Sequence, residues 1–465
     1  MNQKTLAFPL VTLLLAGCAV SPAYVTPDTP NITLASPQQT QFRPAGDAAS
    51  GTPWWRFFDD ALLTQLITGA LAHNRDIAQA QATLLAARAV FDERQLDRLP
   101  AITGQAGWQR KVEQTAPDAR TATSSTRLGL DAQWELDLFG RLGHLSRSAQ
   151  ARASAAQADL RQAQLVIAAE VARNYYQALG DRQGLALAQS QVDSWRETVA
   201  LIEARLAAGS GLPEERQNAL ANLARSEAAL PPLQASLLQA RYRLDVLGGQ
   251  APGTTTLALT APAAAPLAGQ LPLGDVNQLI RQRPDVVRAE RLLAASSEDV
   301  GAATADLYPR LGLGGFIGFF ALRGSSVLDG GARAFALAPG ISHPAFHLGS
   351  ARARVRGTQA LAQGALAGYE QAMLLAQEEV ENAVTQLAEN QGRLASLLQS
   401  ARHASAALAI ASTRFQAGAG SYQAVLENQR ALYEILGVAL QSETASYTSA
   451  IALYKALGWG LSNDV

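Results

Sequence analysis

The chain has 465 residues, enough for a substantial core and, on length alone, for two or three domains. Lysine and arginine total 38 against 39 aspartates and glutamates, a formal charge of −1, which excludes a basic field of the kind nucleic-acid binding needs. Only 17% of residues are charged and 48% are hydrophobic, a balance that suits large contact surfaces or partial membrane immersion.

Residues 1–17 read as an export signal: Lys4, an apolar run over residues 5–15 too short to span a bilayer, then Ala16-Gly17. The stretch Leu15-Ala16-Gly17-Cys18 resembles the bacterial lipoprotein pattern, which implies cleavage before Cys18 and lipid attachment to it; the alternative is an ordinary signal with an incidental cysteine. Cys18 is the single cysteine of the chain, so no internal disulfide can form. By the same resemblance, Ala19 and Val20 in place of an aspartate imply the outer rather than the inner membrane. Residues 18–59 read as a lipidated N-terminal tether rich in proline and threonine. Near its end Trp54 and Trp55 either pack against the body or sit near the lipid boundary.

From there the chain repeats itself at an offset of 209 residues, pairing Asp76 with Asp285, Pro100 with Pro309, Gly140 with Gly349, Glu170 with Glu379, and Arg205 and Gly209 with Arg414 and Gly418. The two structural repeats span residues 60–249 and 274–460, joined by a connector over 250–273 and followed by a tail over 461–465. In the first repeat a helix over 75–98 stops near Pro100. A β-hairpin follows at about 101–139. Its first strand sets Ile102, Gly104, Ala106 and Trp108 against Thr103, Gln105, Gln109 and Lys111. Its second sets Leu128, Leu130, Trp134, Leu136 and Leu138 against Arg127, Asp131, Gln133, Glu135 and Asp137. Such one-sided strands of about ten residues suit burial of one face in lipid or in a core.

A proline-free stretch over 142–208, filled with good helix formers, then predicts a helix of roughly 100 Å at 1.5 Å per residue. Length of that order requires coiled-coil-like packing. A tip at 209–213 and a helix over 213–247 complete the repeat. The second repeat follows the same order: a hairpin at about 310–346, disturbed near its end by Pro339 and Pro344, a helix over 351–417, a tip at 418–421 and a helix over 422–457. Glycine permits the positive φ that a chain reversal needs, so Gly209/Gly211 and Gly418/Gly420 are expected to end the long helices, with Arg205 and Arg414 complementing the last-turn carbonyls.

Two hairpins give four strands, and four strands in lipid leave edges that hydrocarbon cannot satisfy. Either the sheet packs in a soluble core or several copies pool their strands. Against this background several stretches resemble the TolC-like outer-membrane factors, and most closely their lipoprotein branch. They are TPWWRFFDDALLTQLITGALAHNRDIAQA (52–80), WELDLFGR (134–141), QRPDVVRAERLLAASSEDVGAATADLYPRLGLGG (282–315), RFQAGAGSYQAVLENQRALY (414–433) and YKALGWG (454–460). The resemblance covers nearly the whole chain in order. It implies a mainly α fold with a membrane β-barrel. In that fold a homotrimer closes a 12-stranded outer-membrane barrel, four strands per chain, continuous with a long periplasmic α-helical barrel.

The partners implied are a periplasmic adaptor, an inner-membrane proton-driven transporter of the RND type, and outer-membrane lipid. The function implied is passive conduction of small molecules out of the cell. The alternatives are a conduit for protein or peptide export, or a non-channel coiled-coil scaffold. Under the same resemblance Cys18 carries the lipid, Arg205, Gly209, Arg414 and Gly418 meet the adaptor, and Gln105, Gln109, Lys111, Arg127, Asp131 and Glu135 line the barrel interior. Many relatives carry an acid just after the second-repeat glycine at the periplasmic mouth; here Ala419, Gly420 and Ser421 stand there, leaving Tyr422 or Glu427 as candidates. Many also keep a Gly-Arg pair in the second repeat, where this chain has Gly349-Ser350 and Arg352 is the nearest substitute.

No catalytic constellation, cofactor motif or metal motif emerges. The five histidines, 73, 144, 343, 347 and 403, are scattered, and the His343/His347 pair lacks the intervening glutamate of a metalloprotease helix. No phosphate-binding loop is present, so the energy for transport is expected from a partner.

Overall fold

The structure, a computed structural model, describes residues 24–27, 43–44, 53–117, 119–254, 272–273, 275–343 and 345–459. The expected export signal, Cys18, most of the tether and connector, and the tail lie outside the described residues. The chain divides into two compact units. One gathers residues up to Thr29 with Ala82–Ala158 and Val287–Gln371; the other gathers Pro30–Gln81, Asp159–Val286 and Ala372–Val465.

The first unit holds a four-stranded antiparallel sheet of β1 (Ala101–Ala116), β2 (Ala119–Leu136), β3 (Arg310–Ala321) and β4 (Arg333–Ser342), in that order. The register places Ile102 and Trp108 on one face with Leu128, Leu130, Trp134, Leu311, Leu313, Ile317, Phe335, Leu337 and Ile341. That face is continuous over all four strands and open, with Ile317 at 66%, Leu337 at 71% and Phe335 at 86% of full exposure. Pro339 sits on the outer strand β4 opposite Leu313, where a missing N–H is tolerated. β2 stops at Leu136, earlier than periodicity alone suggests, because Asp137 turns to cap the next helix: its carboxylate accepts from Leu142 N at 2.9 Å and Gly143 N at 2.7 Å.

The other main elements are helical. α1 (Ala61–His73) is capped by Asp60, whose Oδ1 accepts from Leu63 N at 3.0 Å; Asn74 then caps α2 (Arg75–Leu96), accepting from Asp76 N at 2.9 Å. The long helices are α3 (Arg141–Ala207) and α8 (Leu348–Gln416), which run without a break through 67 and 69 residues. Following α3, residues 213–247 do not form the single helix expected. They form α4 (Pro213–Ala228) and α5 (Leu230–Leu247), parted at Ala229. Pro231 and Pro232 are the cause: prolines fit the first turn of a new helix and cannot continue an old one. After α6 (Val276–Gln282) and α7 (Pro284–Ala305), the second repeat ends in the uninterrupted α9 (Tyr422–Leu457), which has no proline at the equivalent place.

The repeat offset survives as geometry. Asn74 donates from Nδ2 to the Leu247 carbonyl at 3.0 Å, and its repeat-mate Arg283 donates from Nη1 to the Ala456 carbonyl, the repeat-mate of Leu247, at 2.5 Å. Gly249 and Gly458, also repeat-mates, both take positive φ, 76° and 63°. Arg283 further bonds Asp285 (2.7 Å) and Glu379 (2.7 Å). Burial works against its charge, but those two carboxylates outweigh it and hold the guanidinium above its ordinary value.

Trp54 and Trp55 belong to a five-residue 3-10 turn (Trp54–Phe58) and are buried, so packing against the body is the role they take. Trp54 stacks on Tyr454 with centroids 5.9 Å apart, and Tyr176 stacks on Tyr447 at 4.3 Å. Phe58 touches Trp54, Tyr176, Tyr447 and Tyr454, joining the 3-10 turn to α3 and α9. Burial, reinforced by Glu443 and Asp60, pushes the Tyr447 hydroxyl up to about 12, so this phenol stays neutral at physiological pH.

Candidate functional site

The register gathers all six polar strand residues singled out from the sequence on one face of the sheet. Gly107 pairs with Arg127, Gln105 with Gly129, Thr103 with Asp131 and Gln109 with Ser125, while Lys111 and Glu135 share the same alternation. The charges on that face are largely paired: Lys111 with Glu113, and Arg127 with Asp131 at 2.5 Å. Arg127 also lies over the ring of Phe316 on β3, 4.0 Å from its centroid. Towards β4 the face turns small, carrying Gly312, Gly314, Ala336, Ala338 and Gly340. The β1–β2 half therefore bears polar arms, and the β3–β4 half carries these small residues together with Phe316 and Phe320.

Glu135 does more than face this surface. Arg141 clamps it in two parallel bonds, Nε to Oε1 at 2.9 Å and Nη2 to Oε2 at 2.8 Å. The Glu135 bond, with burial opposing, raises the Arg141 pKa. Gly140 between them has φ 77°, which closes the turn. WELDLFGR is thus a strand-to-helix hinge pin: acid, helix cap, left-handed glycine and arginine in one stretch. In the second repeat Gly349 lies inside α8, and Arg352 is exposed rather than substituting for Arg141. The arginine that finds an acid there is Arg354, one helical turn beyond Ser350, the repeat-mate of Arg141; it donates to Asp306 at 3.3 Å.

At the ends of the long helices the two repeats match closely. Gly209 (φ 77°) donates to the Leu206 carbonyl at 3.0 Å and Ser210 N to the Arg205 carbonyl at 3.0 Å; Gly418 (φ 71°) and Ala419 repeat this with Phe415 at 2.9 Å and Arg414 at 2.8 Å. Both are Schellman closures, which satisfy the last carbonyls of a helix. Each arginine reaches over its own turn, Arg205 Nη2 to the Ser210 carbonyl and Arg414 Nη2 to the Ala419 carbonyl, both at 3.4 Å. The second glycine of each tip has a different reason. A Cβ on Gly211 would lie 2.8 Å from Leu206 N, and one on Gly420 3.2 Å from Arg414 Cβ.

Tyr422 begins α9, with its ring 5.1 Å from Phe415 and its hydroxyl 3.2 Å from Thr198 Oγ1, tying this helix to α3. Glu427 is exposed and accepts a local bond from Gln423 Nε2 at 3.0 Å.

One buried polar cluster had no signature in the sequence. His144 Nδ1 lies 2.6 Å from Glu298 Oε2, which also accepts from Arg147 Nε at 2.9 Å. Gly301 leaves the space for this imidazole, since any Cβ there would overlap its ring. The residues stand 154 positions apart, so only the packing of α3 on α7 reveals them. Among the described residues no group of three or more histidine, cysteine, aspartate or glutamate side chains is placed to hold a metal ion. No described helix is long and apolar enough to cross a membrane.

The family model described as outer membrane efflux protein matches this chain twice, over residues 66–250 and 276–459, once per repeat. The solvent efflux pump outer membrane protein SrpC of Pseudomonas putida is 30% identical, with 99% of each chain covered. The cation efflux system protein CusC of Escherichia coli O6:H1 (strain CFT073) is 30% identical, with 97% of each covered. Among solved structures, the outer-membrane channel OprN superposes with a TM-score of 0.89 at 39% identity, covering 95% of this chain and 99% of that one. These likenesses run the length of the chain. They carry the same elements seen here: long helices with a four-stranded sheet that, in the family architecture, forms part of a trimeric barrel. A sheet apolar on one side and polar on the other, hinged to 67- and 69-residue helices and matched end to end by efflux channels, leaves one conclusion: this chain belongs to the outer membrane efflux protein family and is the outer-membrane channel component of an efflux pump, a conduit and not an enzyme.

Proposed function

We propose that three copies of the chain pool their strands into a twelve-stranded barrel whose lumen conducts small molecules delivered by a periplasmic adaptor and a proton-driven RND transporter. The observation that carries this reading is the continuous apolar face of a sheet with open outer strands β1 and β4. Edges of that kind are satisfied in lipid only by closure, and four strands per chain closed by three copies give an even-numbered barrel. Gln105, Gln109, Lys111, Arg127, Asp131 and Glu135 then face the lumen, and their internally paired charges suit a passage that must release what enters it. Relatives named for solvent and for cation efflux match this chain over nearly its whole length, which supports assigning substrate choice to the transporter. Purified protein added to planar bilayers is expected to insert as an oligomer and carry ion current; a monomer without conductance overturns the reading.

The tips are assigned to the adaptor. Arg205 and Arg414 close their own helices with weak 3.4 Å bonds to exposed carbonyls, so both guanidinium groups keep donors free for a partner. Arg205→Ala with Arg414→Ala is expected to weaken adaptor association about tenfold, from two charge-assisted bonds at roughly 0.7 kcal/mol each, within the range for exposed pairs. Trimers should persist in size-exclusion chromatography; their loss would show the arginines to be structural. Tyr422, tied to Thr198, and the exposed Glu427 are assigned to the periplasmic mouth in place of the missing acid after Gly418.

The lipoprotein branch is the third part of the proposal, resting on Leu15-Ala16-Gly17-Cys18. Cys18→Ala is expected to remove metabolic palmitate labelling entirely, and label persisting on the variant would refute the assignment. A multiply acylated cysteine holds firmly where a single chain would not.

A further inference from the structure

The strand-to-helix junction of the second repeat carries a group of residues that the first repeat lacks. Asp306, just beyond α7, accepts from Arg310 Nη2 at 2.7 Å and from Arg354 Nη1 at 3.3 Å, so one carboxylate serves two guanidinium groups. These three line a cavity of about 360 Å³ together with His343, His347 and Ser350. Arg141 also comes within 3.9 Å of Asp306, but its charge is already matched by Glu135. The pocket therefore holds one positive charge in excess before either histidine is counted. It also borders the first turn of α8, where Ser350 lies and where unsatisfied N–H groups add partial positive charge.

The repeat offset shows how specific this is. Asp97 is the repeat-mate of Asp306, so the acid is present in both copies. The repeat-mates of Arg310, His343, His347 and Arg354 are Ala101, Trp134, Leu138 and Leu145. In the first copy Asp97 is taken by Arg94 at 2.8 Å, and Trp134 closes onto the Arg98 carbonyl at 3.0 Å. Two cations and two imidazoles thus replace small or apolar groups around one shared acid. Arg310 and Ser342 are paired on the polar face of the sheet, the same face as Asp131 and Glu135.

We propose that this pocket is an anion-attracting collar at the base of the conduction path, taking carboxylate or phosphate groups of passing solutes and biasing the channel towards anions. The inference rests on reading the polar face as the lumen wall. Guanidinium forks are the side chains best matched to both oxyanions. Arg310 and Arg354 keep 45% and 61% of their side-chain surface exposed, so the attraction is water-screened and release stays easy.

The test is ion selectivity of the full-length channel in planar bilayers under a potassium chloride gradient at low ionic strength, where screening is weakest. Arg354→Gln is expected to lower the chloride-to-potassium permeability ratio about two-fold, and Arg310→Gln with Arg354→Gln about four-fold, the scale of a unit charge acting through water at about 8 Å. Asp306→Asn should shift the ratio the other way, and it keeps both arginines if their removal proves too disruptive for assembly. Inorganic phosphate should reduce the chloride current of the unmodified channel more than that of the double variant. A conducting channel whose ratio is unmoved by these substitutions overturns the collar alone. Absence of current from the unmodified protein overturns the lumen reading and the collar with it.

Discussion

Gly318→Val is expected to abolish the assembled channel, with the protein recovered as unassembled chains that give no current in bilayers. Gly318 on β3 faces Gly129 on β2, and the two strands approach so closely there that a Cβ on Gly318 would overlap the Leu128 carbonyl oxygen and lie 2.5 Å from Gly129 Cα. A Cβ on Gly129 would meet the Ile317 oxygen at 2.5 Å and the Phe316 ring at 2.7 Å. Phe316 covers this bare backbone and is itself covered by Arg127, so the glycine pair, the ring and the cation form one layer on the polar face. These obstacles are mostly backbone and cannot swing away. The strands must separate or slip, and a one-residue slip would turn every apolar side chain to the wrong face. Overpacking alone costs about 1–3 kcal/mol, and the slip adds displacement of the whole apolar face. Gly107→Val is the matched control: it lies on the same face opposite Arg127, and a Cβ there meets nothing within 4 Å. Equal loss of channels from both substitutions would place the defect in strand chemistry and not in the β2–β3 approach.

Trp54→Ala is expected to destabilise the second unit by about 3–5 kcal/mol, the usual cost of emptying a buried aromatic site. Trp54 is fully buried and packs against Trp55, Phe58 and Tyr454. No neighbour can fill the void, since Tyr454 is already stacked between Trp54 and Phe57. At about 2–4 °C per kcal/mol for a unit of this size, thermal unfolding followed by near-ultraviolet circular dichroism should show a midpoint lower by about 10 °C. Trp54→Phe should recover most of the difference. An unchanged midpoint for the alanine variant would show that the 3-10 turn contributes little to the stability of that unit.

Much of the architecture could be read directly from residue order, because it is written in local periods. Alternation over 102–108 and 128–136 specified which strand residues share a face, and the pairing of β1 with β2 and β3 with β4 keeps those sets together. Proline-free runs marked the long helices to within a few residues, and glycines at 209 and 418 marked their ends, since a positive φ is a property of one residue. The break at Ala229 is hidden from periodicity although Pro231 and Pro232 announce it, because a change of helix over one residue leaves the apolar pattern almost continuous.

What residue order could not determine are contacts between segments far apart in the chain, for which no period exists. Glu135 has the alternation of the polar strand face, and only the turn geometry shows it clamped by Arg141. His144 with Glu298, Arg283 with Glu379, and Gly129 against Gly318 became partners when helices and strands packed. So did the sharing of Asp306 between Arg310 and Arg354, which depends on where α7 ends and α8 begins. Sequence alone therefore determined the elements, their faces and their duplication, since each is set within a few residues of backbone. Tertiary structure decided which charges are neutralised and which remain, because a side chain's electrostatic partner is chosen by distance in space.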